Sequence, residues 1–61
     1  MIPNDPIMLF SYLNTQLRDN YPSFEELASS LDIDKEEVLS KLEKVGYVYD
    51  EDANRFVKKW F

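Results

Sequence analysis

The chain has 61 residues and a net charge of −5, from twelve acidic and seven basic side chains, which is the length of one small domain. It contains neither cysteine nor histidine, which excludes disulfides, thiolate metal sites, thiol chemistry and the side chain that ordinarily titrates near neutrality. Apolar residues make up 44% and aromatics 15%, enough for a packed core and too much for a disordered segment.

A domain of this size buries only about 60% of the surface its unfolded chain exposes, so each core residue matters. The start, Met1-Ile2-Pro3-Asn4-Asp5, lacks the basic region and long apolar stretch of a signal peptide. The longest apolar run, Ile7 to Phe10, is too short to span a bilayer. The expectation is a soluble cytoplasmic protein.

The first helix is expected from Pro6 to Asp19. Asp5 can cap it, and Pro6 suits the first helical position, where the N–H it lacks would have no helical partner anyway. Leu9, Phe10, Leu13 and Leu17 recur at helical spacing and define its buried stripe. Asn20-Tyr21-Pro22 ends it, because a proline disfavours helical geometry in the residue before it.

Two helix-start signatures follow in close succession, Ser23-Phe24-Glu25-Glu26 and Asp34-Lys35-Glu36-Glu37. Each reads as a capping box, with the cap oxygen accepting from an N–H three residues on and the glutamate there reaching back. The second helix therefore runs from the Ser23 cap to about Leu31. It buries Leu27, Ala28 and Leu31, with Phe24 leaning on the first helix. Asp32-Ile33 forms the turn. Ile33 can staple onto Val38 and fix the entry angle of the third helix. Val38, Leu42 and Val45 share that helix's inner face, with Leu39 at its edge, and Gly46 supplies the left-handed stop.

Tyr47-Val48-Tyr49 reads as a strand, Asp50 to Asn54 as a polar turn and Arg55 to Lys58 as the return strand. An isolated hairpin is unstable in water, so this one must lie on the helices, anchored by Phe56 and one of the tyrosines. The predicted fold is mainly α, formally α+β: a three-helix helix-turn-helix core followed by a two-stranded antiparallel wing, in one domain over residues 1–61.

The stretch from Ser23 to Val57 resembles the winged-helix superfamily in its two capped helices, its Glu-Leu-Ala-x-x-Leu segment and its Gly-Tyr wing. The whole chain also resembles a family of short bacterial proteins of unknown function. The likeness rests on Met1 to Pro6, Leu17-Arg18-Asp19 and Gly46 to Asp50. The second resemblance implies no activity.

Topology alone suggests DNA binding, with Ser40, Lys41 and Lys44 facing the groove and Arg55, Lys58 and Lys59 on the backbone. The outer face of the third helix argues against it, since it also carries Glu36, Glu37 and Glu43, and phosphate binding requires a surplus of cations. Lysines on an edge strand also serve as guards against strand-to-strand aggregation. The first helix is more apolar than one core needs. Ile7, Met8 and Tyr12, joined by Trp60 and Phe61, form a candidate protein-contact patch, unless the hairpin and the first residues cover them.

The acidic pairs Glu25-Glu26 and Glu36-Glu37 fall in first helical turns, where the helix dipole favours them. Asp50-Glu51-Asp52 lacks the loop of a calcium-binding EF-hand. No nucleophile with a base, phosphate loop or zinc spacing is present, and a substrate-sized pocket is not expected in so small a domain. The reading is a non-enzymatic interaction module with no cofactor, metal or small-molecule substrate. Its partner is another protein or a second copy of itself, and a DNA-binding regulator is the alternative.

Overall fold

The computed structural model describes residues 2–59; Met1, Trp60 and Phe61 lie outside the described residues. Three helices come first, α1 (Pro6–Asp19), α2 (Phe24–Leu31) and α3 (Lys35–Glu43). Two strands follow, β1 (Tyr47–Asp50) and β2 (Arg55–Lys58). The strands pair antiparallel, with Val48 opposite Val57 and Tyr49 opposite Phe56.

Each helix starts where its cap dictates. The Asp5 carboxylate accepts from the Met8 N–H at 3.1 Å, with Pro6 at the first position of α1. The Ser23 hydroxyl accepts from the Glu26 N–H at 3.1 Å. The Asp34 carboxylate accepts from the Glu36 and Glu37 N–H groups at 3.0 and 3.4 Å. Only this half of each expected capping box forms. Neither the Glu26 nor the Glu37 carboxylate bonds back to its cap residue among the described residues; both side chains are exposed.

The core is a file of leucines from α1 closed by the other elements. Leu9, Leu13 and Leu17 of α1 meet Phe24 and Leu27 of α2, Val38 and Leu42 of α3, and Phe56 of β2, all buried. Burying side chains of this kind contributes roughly 1.5–3 kcal/mol each. Ile33 packs against this cluster beside the α3 cap, as a staple to Val38 requires. Phe10 is half-buried and stacks on Tyr47, ring centroids 3.9 Å apart, which seats the start of β1 on α1.

One expected placement changes, and Phe24, which packs with the α1 leucines as expected, makes further contacts. Val45 does not share the buried face of α3: it lies beyond the last α-helical residue, in the turn leading into β1, at the rim of the core, and is 40% exposed. Phe24 joins the hairpin aromatics, with its ring 5.1 Å from Phe56, edge to face, and 5.5 Å from Tyr49. α2 is thereby tied to the sheet by aromatic packing as well as by leucine contacts.

Candidate functional site

Polar links that fasten the hairpin to α1 shape the surface on that side. Phe56 points its backbone N–H and C=O away from β1. The Asn14 side chain meets both, accepting from the N–H at 2.7 Å and donating to the C=O at 3.0 Å. One amide on α1 therefore serves β2 as a neighbouring strand would. At the turn, the Asn54 amide donates to the carbonyls of Tyr21 and Leu17 at 3.1 and 3.4 Å. Its oxygen accepts from the Tyr49 hydroxyl at 2.7 Å, and that hydroxyl in turn accepts from the Phe24 N–H at 3.1 Å. Asn54 reaches this position with φ at 53°, the left-handed geometry that asparagine tolerates.

These links hold open a cleft of about 550 Å³ between α1 and the start of β2. Its size differs from the expectation that so small a domain has no substrate-sized pocket. Ser11, Thr15 and Arg18 line one side and Arg55 the other. The Arg18 guanidinium donates to both oxygens of Asp19, at 2.9 and 3.1 Å. This hydrogen bonding raises the arginine pKa and lowers that of the Asp19 carboxyl. Both side chains are well exposed, so water screens the pair and it adds little stability.

The candidate protein-contact residues are only partly brought together. Ile7 is 54% exposed and Met8 62%, the two most exposed large apolar side chains among the described residues. They point from opposite margins of the solvent face of α1, with Ser11 between them one turn on. Tyr12 is half-buried against the core and offers only its outer part. Trp60 and Phe61 lie outside the described residues.

The DNA-contact residues of the alternative reading are dispersed. Ser40 and Lys44 are exposed on α3 among the equally exposed Glu36, Glu37 and Glu43. Lys41 turns toward the N-terminal segment, its ammonium 3.4 Å from the Asn4 carbonyl. Arg55 and Lys58 are exposed on β2, while Lys59 is half-buried and donates its backbone N–H to the Gly46 carbonyl at 2.7 Å. At the tip, the Asp50 carboxylate accepts from the Asp52 and Ala53 N–H groups and so stabilises the turn. Among the described residues, no group of three or more acidic side chains is placed to hold a metal ion. Among the described residues, no helix is long and apolar enough to cross a membrane.

The molecule is thus a small α+β domain of three helices and an antiparallel hairpin. The chain belongs to the family described as Domain of unknown function (DUF4250), which matches residues 3–56. No curated protein and no solved structure matches it.

Proposed function

We propose that this domain is a non-enzymatic, cytoplasmic interaction module. It would use a winged helix-turn-helix arrangement to present α1 to another protein, and self-association is its simplest use. The observation that carries this reading is the pair Ile7 and Met8. Both stand more than half exposed in the first turn of α1, in a domain with few apolar side chains to spare. Methionine and aromatic residues are favoured at contact surfaces, and Tyr12 borders the pair.

A standard interface covers about 800 Å² on each partner, a large share of the 4404 Å² this domain exposes. The contact therefore extends beyond Ile7 and Met8 to the neighbouring Tyr12. The acidic outer face of α3 supports protein over DNA as the partner, because duplex affinity rests on neutralising phosphates.

Sedimentation velocity over a concentration series tests this reading. The wild-type chain is expected to shift toward a dimer as concentration rises, and the double variant Ile7→Gln, Met8→Gln to stay monomeric with an unchanged circular dichroism spectrum. A strictly monomeric wild type that also resembles the double variant in every cross-linking assay overturns the reading. Salt-sensitive binding to random duplex DNA, retained in the double variant, would favour the alternative regulator.

A further inference from the structure

We infer that the cleft between α1 and the start of β2 is a binding site for a small organic anion, one with a carboxylate or phosphate group on a short apolar body. The chain has only two arginines, Arg18 and Arg55, and both line this cleft, although the protein as a whole is strongly acidic. Arginine presents a planar fork of donors matched to the two oxygens of a carboxylate or phosphate, a geometry the chain's five lysines cannot offer.

The other lining groups fit the same ligand. Ser11, Thr15 and Arg18 follow one another at four- and three-residue spacing, which sets them in one file along α1. The hydroxyls of Ser11 and Thr15 are exposed, and among the described residues neither has a protein hydrogen-bond partner. The same holds for the Arg55 guanidinium. Its cross-strand neighbour Asp50 turns its carboxylate inward to the N–H groups of Asp52 and Ala53, which leaves the arginine unpaired.

Arg18 gives one edge of its guanidinium to Asp19 and keeps its second terminal amino group. Asn14 and Asn54 also line the cleft, but both amides are committed to backbone groups of the hairpin and α1. They serve as fixed walls, and Phe10 offers an apolar surface for the body of the ligand. The volume, about 550 Å³, is typical of small-molecule sites.

The test is an amide-resolved NMR titration of the whole chain, with inorganic phosphate in one arm and succinate in the other. Sodium chloride holds ionic strength constant in both. Saturable shifts are expected at Ser11, Thr15, Arg18, Asn54 and Arg55 in at least one arm, and the arm that saturates names the anion. Arg55→Gln and Arg18→Gln are expected to weaken binding by about fivefold or more while the rest of the spectrum stays native, because both side chains are exposed. Arg55→Lys should weaken it too, since it keeps the charge and loses the fork. Shifts that never saturate in either arm, or affinities unchanged in both glutamine variants, overturn the inference. Because Ser11 also lies beside Ile7 and Met8, shifts at Thr15, Asn54 and Arg55 separate this outcome from self-association through that pair.

Discussion

Asn14 is the residue on which the helix-to-hairpin junction depends most. A two-stranded sheet has two open edges, and the outer edge of β2 would otherwise show an unpaired N–H and C=O at Phe56, a residue only 1% exposed. Asn14 satisfies both groups with one side chain. Asn14→Ala would leave them facing the cleft without a protein partner, and losing a hydrogen bond there costs about 0.5–1.5 kcal/mol. In a domain of this length each kcal/mol corresponds to roughly 4–8 °C in melting temperature. The expected result is a drop of that order in a thermal melt followed by circular dichroism, with faster hydrogen exchange at Phe56. An unchanged melt would mean that water replaces the amide. The contact was not visible in the sequence, where an asparagine in mid-helix reads as surface, since nothing local tells which strand will come to lie against it.

At the level of elements, the helix starts were legible because they rest on short-range chemistry, while the end of α3, at Glu43, and that of β1, at Asp50, were not. α1 spans Pro6–Asp19, and the Asp5 cap with proline behind it fixes its start. α2 and α3 have only eight and nine residues. Helices this short are marginal alone, so caps and packing must support them. Ser23→Ala and Asp34→Ala should each cost about 1 kcal/mol by urea unfolding, the usual value of an N-cap.

The two helix ends differ in kind: α2 closes on the left-handed cap Asp32, whereas α3 closes on Lys44 in helical geometry and reaches its left-handed residue, Gly46, only in the turn into β1. Gly46 has φ at 91° with nothing within 4 Å of where a Cβ would sit, so Gly46→Ala meets backbone strain and no clash. A cost of about 1–2 kcal/mol is expected. Asp32 holds the same left-handed region, φ 55°, after α2 without being glycine. Asp32→Gly is therefore expected to be neutral or mildly stabilising, and the pair of variants separates strain from packing. If Gly46→Ala proved harmless, the left-handed geometry would not be what steers the chain from α3 into β1. Placement of Val45 was less legible, because helical periodicity gives no sign of where the core itself runs out.

For the molecule as a whole, the leucine stripe and the aromatic hairpin announced the fold, while the cleft depended on distances that sequence order hides. Arg18 and Arg55 are remote in the chain and became neighbours of one cavity only when β2 docked on α1. The absence of histidine and cysteine has a consequence at this scale as well. Apart from the α-amino group, no ordinary side chain changes charge between about pH 6 and 8. Folding stability varies with pH only where the folded and unfolded chains bind different numbers of protons, so it should be level across that window. Below it, Asp19 contributes in a defined direction. Its carboxyl pKa is lowered by the hydrogen bond from Arg18, so its contribution is complete above the unfolded carboxylate pKa and is lost as pH falls through the lower folded value. Because that pair is exposed and screened, the decline should be shallow and should shrink further in salt. Melting temperatures measured from pH 8 down to pH 3 are expected to hold flat and then fall in the carboxylate range. Asp19→Asn should reduce the slope there and leave the plateau nearly unchanged. A clear step near neutral pH beyond what the α-amino group can give would contradict this, since no side chain here ordinarily titrates in that window.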